Sequence, residues 1–334
     1  MANVGKRSAD YELLKQMALA GMEIARLNFA HATNEQLIEL KKNLKKVKKE
    51  TGKDVKILQD LCGPRIRIGK LQHDIELKKG QEYAFSFNMC DSTDPICLPI
   101  DSEDLIDDMR VGHSFYLING AIELTVTKIA KGKMYAVVER GGIVSSKKGI
   151  NVPMTTLSGG GLTEKDMIDA KFGAEQKVDY VGLSFVQTAD DVIKLRKIVG
   201  PDIQIMAKIE RATALPEVDN ILNEADGIMI ARGDLGIEMP IEELPILQKE
   251  LIRHAHWHKK PAIVATQMML SMMEKTHPTY AEVTDVANAV FDGADVLMLS
   301  DETAVGKYPV ECVTMMKKIL DRADEYSNKT NYWK

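Results

Sequence analysis

The stretch DYVGLSFVQTADDVIKLRKIVGPDIQIMAKIE, residues 179–210, decides the fold. Its two ends, DYVGLS (179–184) and IQIMAK (203–208), are apolar on both faces, as parallel strands covered by helices should be. An amphipathic helical stretch separates them, and the spacing leaves room for one helix and two loops. Residues 179–210 therefore predict a βαβ unit.

The same unit recurs along the chain, with a helix predicted from Asp10 to Ala20 and a lysine-rich helix that contains KKNLKKVKKE (41–50). Eight strands that alternate with helices predict an α/β fold, a (β/α)₈ TIM barrel, built from residues 1–69 and 151–334. The other six predicted strands are ANVG (2–5), EIARLN (23–28), VKILQD (55–60), GIMIAR (227–232), AIVATQ (262–267) and DVLMLS (295–300).

Residues 70–150 follow a different pattern. Apolar and polar residues alternate with a period of two, which is typical of half-buried strands, and Asn119-Gly120 is a strong signal for a tight hairpin. We therefore predict a small all-β domain, similar to a β-barrel, inserted after the third barrel strand.

Composition excludes several function classes. A net charge of −5 gives no basic footprint for nucleic acid, and we interpret the lysine-rich run as a solvated helix face. No apolar run approaches the roughly 18 to 20 residues needed to cross a bilayer, and the N-terminus has no signal-type apolar region. These features predict a cytoplasmic protein without a membrane or nucleic-acid partner.

The cysteines and histidines indicate neither a disulfide scaffold nor a dedicated zinc site. No CxxC pair and no HExxH motif occurs in the sequence. The reducing cytoplasm is consistent with this pattern. The four cysteines are Cys62, Cys90, Cys97 and Cys312.

Polar side chains follow the predicted strands at their carboxyl ends, which is where barrels of this type place their chemistry. Arginine and lysine neutralise phosphate oxygens, and a pair of carboxylates such as Glu210 and Asp234 can hold Mg²⁺. The sequence thus predicts a site for a small, densely anionic ligand and a divalent metal. The strand-end residues are Arg26, Asn28, Asp60, Ser184, Lys208, Glu210, Arg232, Asp234, Thr266, Ser300 and Glu302.

The motif ARGDLG (231–236) adds a candidate carboxylate site. Gly233 permits a close backbone approach, and the N–H groups of a following helix N-terminus could bind a carboxylate. Alone, this motif is equally compatible with a strand-to-helix turn that carries a solvated acid. The AKIE motif (207–210) one strand earlier and ATQM (265–268) one strand later favour the binding interpretation.

Several motifs closely resemble those of pyruvate kinase, in the same order and over nearly the whole chain. They are AGMEIARLNFAH (20–31), SKKGINVP (146–153), AKIE (207–210), GIMIARGDLGIE (227–238), PAIVATQMMLSMM (261–273), AEVTDVANAVFDGAD (281–295) and MLSDETAVGKYPVE (298–311).

The resemblance implies phosphoryl transfer between phosphoenolpyruvate and ADP, with the insert as a lid over the barrel mouth. It implies that Lys208 bridges the transferring phosphoryl group and the enolate oxygen, that Arg26 holds the phosphate, and that Glu210 and Asp234 ligate Mg²⁺ or Mn²⁺. Thr266 and Ser300 are implied beside the water that protonates enolpyruvate. The further substrate contacts implied are Ser184, Ala231, Arg232, Gly233, Asp234 and Thr266, and the nucleotide contacts are Asn3, Arg26, His31 and Lys148.

Two motifs depart from the family at its potassium site. Most pyruvate kinases read NFSHG and DTKGPEIR where this chain reads NFAHA (28–32) and DLCGPRIR (60–67). Ala30 and Leu61 remove two oxygen ligands, and Arg65 replaces a glutamate.

We hypothesise that the enzyme needs no K⁺, because the guanidinium of Arg65 near Asn28 and Asp60 supplies the missing charge. Related members without the requirement usually carry lysine there, and guanidinium and ammonium are not interchangeable. The alternative is a surface role for Arg65 at the hinge to the lid.

The resemblance also sets expectations for the whole protein. Most members continue into a third domain that builds an oligomer interface and binds effectors, whereas this chain stops at NYWK (331–334). We therefore expect a two-domain form without that interface or its allosteric control, and a homo-oligomer stays open. Two other functions remain in view: a homologue that binds phosphoenolpyruvate and Mg²⁺ without turnover, and a metal-dependent lyase acting on pyruvate enolate.

Overall fold

The chain begins with the first three strands of a parallel sheet. The structure is a computed structural model, and it describes residues 1–87, 90, 95–153 and 155–330. The N-cap Asp10 accepts backbone hydrogen bonds at the start of the first helix, and Gly21, with a φ of 114°, ends it. The elements are β1 (Ala2–Asn3), α1 (Tyr11–Ala20), β2 (Ile24–Asn28), α2 (Asn34–Thr51) and β3 (Lys56–Asp60).

Residues between the third and fourth barrel strands form the insert, residues 70–150, whose sheet extends to Asn151. Its strands are ordered β11-β7-β8-β9-β5-β6 in one sheet and β10-β4 in another. The predicted hairpin at Asn119-Gly120 is confirmed, since β7 and β8 pair on either side of it. The elements are β4 (Ile75–Leu77), β5 (Glu82–Phe87), β6 (Cys97–Ile100), α3 (Asp104–Asp108), β7 (Ser114–Leu117), β8 (Ile122–Ala130), β9 (Lys133–Arg140), β10 (Gly142–Val144) and β11 (Ile150–Asn151).

Two details of the insert differ from expectation. The short helix α3 means that the segment is not all-β. A disulfide joins Cys90 to Cys97, although the cysteine spacing gave no such indication. The two Cα atoms lie 5.3 Å apart, within the range that a disulfide spans, and this proximity is a tertiary feature that cysteine spacing does not reveal.

The remaining chain alternates strands and helices as predicted. Thr163 caps α4 through a reciprocal capping box with Asp166. The elements are α4 (Glu164–Glu175), β12 (Tyr180–Leu183), α5 (Ala189–Val199), β13 (Gln204–Ile209), α6 (Val218–Glu224), β14 (Gly227–Ala231), α7 (Arg232–Glu238), α8 (Leu244–Trp257), β15 (Ala262–Ala265), α9 (Tyr280–Phe291), β16 (Val296–Met298), α10 (Asp301–Ala304) and α11 (Pro309–Thr330).

Eight parallel strands, ordered β1-β2-β3-β12-β13-β14-β15-β16, form a nearly closed barrel. Asn3 N donates to Leu299 O at 2.9 Å, and Leu299 N donates to Met1 O at 3.0 Å, which brings the first and last strands together. The α/β barrel prediction is confirmed. No helix in the described part of the chain is both long and apolar enough to span a membrane.

Successive side chains along each barrel strand point alternately into the barrel interior and outward to the surrounding helices. In β13, Ile205 and Ala207 pack in the large core beneath the helices, whereas Met206 joins a small cluster inside the barrel. Lys208, two residues after Met206, therefore points inward at the carboxyl end of the strand. The same pleat places polar side chains from neighbouring strands around one opening.

The insert has its own apolar core, separate from that of the barrel, in which Phe85 and Phe115 meet edge to face with ring centroids 5.2 Å apart. The chain enters and leaves it through two adjacent segments. Ile68 N donates to Lys148 O at 2.8 Å, and Ile150 N donates to Ile66 O at 2.9 Å. These paired crossings hold the insert beside the barrel opening.

Candidate active site

A cavity of about 280 Å³ lies at the carboxyl ends of the barrel strands. It brings together side chains that the sequence separates by up to about three hundred positions. The predicted site residues that line it are Asn3, Arg26, Asn28, Arg65, Ser184, Lys208, Glu210, Ala231, Asp234, Thr266 and Ser300.

Lys208 is the central cation of this cavity. Its Nζ donates to Ser184 Oγ at 2.6 Å and lies 3.1 Å from Asp60 Oδ1 and 3.0 Å from Glu210 Oε1. Burial alone would lower the pKa of Lys208, but Asp60 and Glu210 outweigh it and raise that pKa. The ammonium group is thus held charged and oriented, with only 8% of the side chain exposed.

Asp60 lies beneath the cavity, fully buried between two cations. Arg26 Nε donates to Asp60 Oδ2 at 2.7 Å, and Arg26 Nη2 forms an ion pair with the same oxygen. Burial would raise the pKa of Asp60, but Arg26 and then Lys208 lower it overall. With its pKa lowered in this way, the Asp60 carboxylate holds both cations at the cavity wall.

Glu210 and Asp234 form the acidic pair that was predicted to hold a metal. Glu210 Oε2 accepts a hydrogen bond from Phe185 N at 2.7 Å. Burial raises the pKa of Glu210 to about 7, with Lys208 opposing this shift and Asp234 adding to it. A divalent cation beside both carboxylates would relieve that repulsion.

The donor set fits an ion that prefers oxygen ligands, such as Mg²⁺ or Mn²⁺, better than zinc or copper. Among the described residues, no group of three or more histidine, cysteine or acidic side chains could hold a metal ion. Two carboxylate groups with an open cavity beside them match an ion that takes its other oxygen ligands from substrate and water. The site therefore depends on a bound anion to complete any metal coordination.

Thr266 and Gly233 meet at a strained position. Thr266 has a φ of 80°, a left-handed conformation that β-branched residues rarely adopt and that costs about 1–3 kcal/mol. A Cβ added to Gly233 would lie 2.8 Å from Thr266 Cγ2, so only glycine fits. Ala231, the cap residue of α7, has no side-chain hydrogen bond to that helix. The geometry keeps the backbone at residues 231–234 close to Thr266, as the carboxylate-binding interpretation requires.

The side chain of Arg232 is held by other residues and does not line the cavity. Its guanidinium donates to Asp285 Oδ1 and Oδ2 at 2.8 and 2.7 Å and to Thr266 O at 2.8 Å. These bonds turn the side chain into a groove of about 670 Å³ that adjoins the cavity. Asp285, on α9, had no local sequence signal as a site residue, because only the fold brings it to Arg232.

The residues of the proposed former potassium site are partly engaged. Asn28 Oδ1 accepts from Ala30 N at 3.0 Å, and both oxygens of Asp60 are bound as described. Arg65 is exposed, lines the cavity wall, and has no side-chain hydrogen bond or ion pair within the described residues. The structure therefore does not pair Arg65 with Asn28 or Asp60.

Only some of the predicted nucleotide contacts lie at the cavity. Asn3 lines the cavity and its Oδ1 is buried without a hydrogen-bond partner among the described residues. His31 and Lys148 are exposed and line neither the cavity nor the adjoining groove. The structure thus brings Asn3 and Arg26 to the site, but not His31 or Lys148.

Two functional groups were missed by sequence reasoning. The backbone N–H of Phe185 orients Glu210, and Phe185 adopts a φ of 53°, which a one-dimensional pattern does not reveal. Asp166 Oδ1 accepts from Cys62 N and Gly63 N at 2.9 and 3.2 Å, which fixes the turn before Arg65. The capping box TEKD (163–166) was a usable signal for Asp166.

Fold and site together define a class of protein: a (β/α)₈ barrel whose mouth combines buried cations with an acidic pair. The family model for the pyruvate kinase barrel domain matches residues 1–313. The chain belongs to the pyruvate kinase family, which confirms the resemblance found in the sequence.

Curated relatives named pyruvate kinase cover nearly all of this chain. The protein from Thermococcus litoralis is 43% identical over 99% of this chain and 70% of its own length. For the protein from Geobacillus stearothermophilus these values are 42%, 97% and 56%, and for that from Agrobacterium vitis 39%, 98% and 68%. The chain thus spans 56% to 70% of the length of these relatives.

Proposed function

We propose that the chain catalyses phosphoryl transfer from phosphoenolpyruvate to ADP, giving pyruvate and ATP, as a magnesium-dependent glycolytic enzyme of the cytoplasm. The observation that carries this proposal is the position of Lys208, buried between Asp60 and Glu210 and bonded to Ser184, at the edge of a cavity that Asp234 also lines. Such transfer depends on positioning and on cations that spread the charge of the moving phosphoryl group.

Each residue has a role that its surroundings support. Lys208 stabilises the charge shared by the moving phosphoryl group and the enolate oxygen, and Arg26 holds the phosphate. Glu210 and Asp234 hold Mg²⁺, or Mn²⁺, which supplies further positive charge when bound. The backbone around Gly233, together with Thr266, receives the substrate carboxylate.

The chemistry proceeds in two balanced parts. The bond between phosphorus and the enolate oxygen breaks while an oxygen of the β-phosphate of ADP bonds to phosphorus. The enolate of pyruvate then gains a proton at its methylene carbon and becomes pyruvate. Thr266 and Ser300 line the same cavity and orient the water that delivers this proton.

The insert acts as the lid in this proposal. It contacts the barrel at the mouth, where a Cβ at Gly120 of the hairpin would lie 3.6 Å from Ile237 of α7. Closing over the cavity excludes water and brings Lys148 toward the nucleotide phosphates, while Asn3 and His31 contact the nucleotide. The exposed position of Lys148 then represents the site before closure.

A coupled lactate dehydrogenase assay with ADP, phosphoenolpyruvate and Mg²⁺ tests the activity. We expect ADP-dependent formation of pyruvate, and we expect Lys208→Met to lower the rate by roughly a thousandfold. Lys318→Met, at an exposed lysine of α11, serves as the matched control. Calorimetric binding of phosphoenolpyruvate without turnover would replace this proposal with a binding homologue, and cleavage of a pyruvate adduct without ADP would indicate a lyase.

We also propose that transfer needs no K⁺. Ala30 and Leu61 offer no side-chain oxygen, and the oxygens of Asn28 and Asp60 are already bonded, so little remains to replace the hydration shell of K⁺. The guanidinium of Arg65 on the cavity wall supplies a positive charge that belongs to the protein itself.

Activity measured in tetramethylammonium buffer, with and without KCl, tests this second proposal. We expect KCl to leave the rate unchanged, Arg65→Lys to retain most of the activity, and Arg65→Ala to lose much of it. Strong activation of the unaltered enzyme by KCl would defeat the proposal.

A further inference from the structure

The segment that returns the chain from the insert to the barrel is held by two buried barrel side chains outside the site described above. We define this return segment as residues 152, 153 and 155–157. Arg211 Nη2 donates to Val152 O at 3.1 Å and to Thr155 O at 2.7 Å. Gln187 donates to Leu157 O at 3.0 Å and accepts from Leu157 N at 2.9 Å.

Arg211 and Gln187 both lie close in sequence to the residues that determine the position of Glu210. Arg211 directly follows Glu210, and its backbone is extended, with φ −122° and ψ 140°. In an extended backbone neighbouring side chains point to opposite sides, so one peptide unit directs Glu210 into the cavity and Arg211 toward the return segment. Gln187 lies two residues after Phe185, whose N–H orients Glu210.

The contact reaches the insert through Thr155. Thr155 is 2% exposed, its carbonyl accepts from Arg211, and its hydroxyl lies 3.0 Å from His113 Nδ1 in the insert. Hydrogen bonds therefore connect His113 to Thr155 and Thr155 to the guanidinium of Arg211, and Arg211 is the chain neighbour of Glu210.

A purely structural role would not need an arginine at this position. Arg211 is 4% exposed, and its Nε is buried without a hydrogen-bond partner within the described residues. The buried carboxylate of Glu238 interacts favourably with the guanidinium and offsets part of the free energy that burying its charge costs, a cost that a methionine of similar length would not have. Unlike methionine, the guanidinium donates directional hydrogen bonds to the carbonyl groups of Val152 and Thr155.

We propose that Arg211 is a positioning residue, which, together with Gln187, links the placement of the insert to the placement of the metal-binding carboxylate of Glu210. Movement of the insert then shifts the return segment, and Arg211 transmits this shift to the strand end. The kinetic part of this inference rests on the proposed function.

The test uses the full chain and the variants Arg211→Met, Arg211→Lys and Gln187→Leu, with Arg322→Met as a matched control. Arg322 lies on α11, where its guanidinium donates to Glu325 Oε2 at 2.6 Å and three quarters of its side chain is exposed (76%). The measurements are kcat, the KM values for phosphoenolpyruvate and ADP, and the Kd of Mn²⁺ from electron paramagnetic resonance. Circular dichroism identifies the folded variants to be compared.

We expect folded Arg211→Met to bind Mn²⁺ about tenfold more weakly and to lose kcat by roughly 10- to 100-fold. The KM for phosphoenolpyruvate should change less, and Arg211→Lys should recover part of both losses because it keeps a donor to the carbonyls. Arg322→Met should match the unaltered protein.

A folded Arg211→Met protein that keeps the Mn²⁺ affinity and kcat of the unaltered protein would overturn the inference, even if its melting temperature falls. Should Arg211→Met fail to fold, Gln187→Leu and Arg211→Lys decide by the same two quantities. If the unaltered protein shows no transfer yet Arg211→Met weakens Mn²⁺ binding, the proposed function fails while the positioning role stands.

Discussion

Glu210 is the residue at which the opposing charges of the site meet. It pairs with Lys208, lies near Asp234 and Asp60, and accepts from Phe185 N. Burial raises its pKa to about 7, although Lys208 opposes this shift. On the proposed assignment of Glu210 as a metal ligand, a proton and a metal ion would compete for the same carboxylate near neutral pH.

We expect the affinity for Mn²⁺ to rise about tenfold per pH unit below pH 7 and to level off above it, because metal binding requires the ionised carboxylate. Titration by electron paramagnetic resonance between pH 5.5 and about 8.5 measures this slope. Glu210→Gln should bind weakly and lack the slope. An affinity of the unaltered protein that stays constant from pH 6 to about 7 would show that Glu210 is ionised throughout.

Many residues that line the cavity could be predicted one by one. The carboxyl ends of the strands in such a barrel surround one opening, so a polar residue at that end of a predicted strand is expected to lie there. Lys208, Glu210 and Thr266 were found in this way. The prediction that Arg65 lies close to Asn28 and Asp60 could not be settled from sequence, because an arginine side chain is long enough to reach several positions, and in the structure it pairs with neither residue.

At the scale of elements, α4 shows how a helix end supports the site. Asp166 is fully buried and accepts from Thr163 N, Thr163 Oγ1, Cys62 N and Gly63 N. By contrast, the side chain of the cap residue Asp10 accepts exposed hydrogen bonds from Glu12 N and Leu13 N, both in the first turn of α1. The first carboxylate joins two parts of the chain, whereas the second serves only its own helix.

We expect Asp166→Ala to lower the free energy of unfolding by about 3 kcal/mol, because it leaves buried donors unpaired, and Asp10→Ala to lower it by about 1 kcal/mol. Urea denaturation of both variants measures the difference. Equal losses would mean that the bonds from Asp166 to Cys62 and Gly63 add nothing beyond an ordinary cap.

Most elements of the barrel could be predicted because their signals are local: apolar strands, capping residues and helical spacing. Two features of the insert were missed for different reasons. The helix α3 has only five residues, too few for a periodic pattern. The parallel pairing of β5 with β6 depends on contacts between distant parts of the insert.

At the scale of the whole molecule, two separate cores raise the question of what each unit does alone. The barrel core and the insert core share no residues, and the chain crosses between them where Ile66 and Ile68 pair with residues 148–150. A short turn could therefore replace the insert without stretching the barrel. If the insert acts as the proposed lid, its removal would leave the cavity permanently open to water.

We expect a variant in which an Asn-Gly turn replaces residues 70–146, with Ile68→Thr and Ile150→Thr to limit exposed apolar surface, to keep a folded barrel. At a ligand concentration of 100 times Kd, phosphoenolpyruvate with Mg²⁺ should still stabilise it by about 2.7 kcal/mol, because the groups assigned to bind them belong to the barrel. Transfer to ADP should fall by about a hundredfold or more, since the open cavity admits water and loses Lys148 in its closed position.

Circular dichroism measures whether the barrel is folded, thermal unfolding with ligand measures the stabilisation, and the coupled assay measures the rate of transfer. Transfer at the full rate would show that the insert is not the lid, and loss of the ligand effect in a folded barrel would show that the insert itself binds substrate.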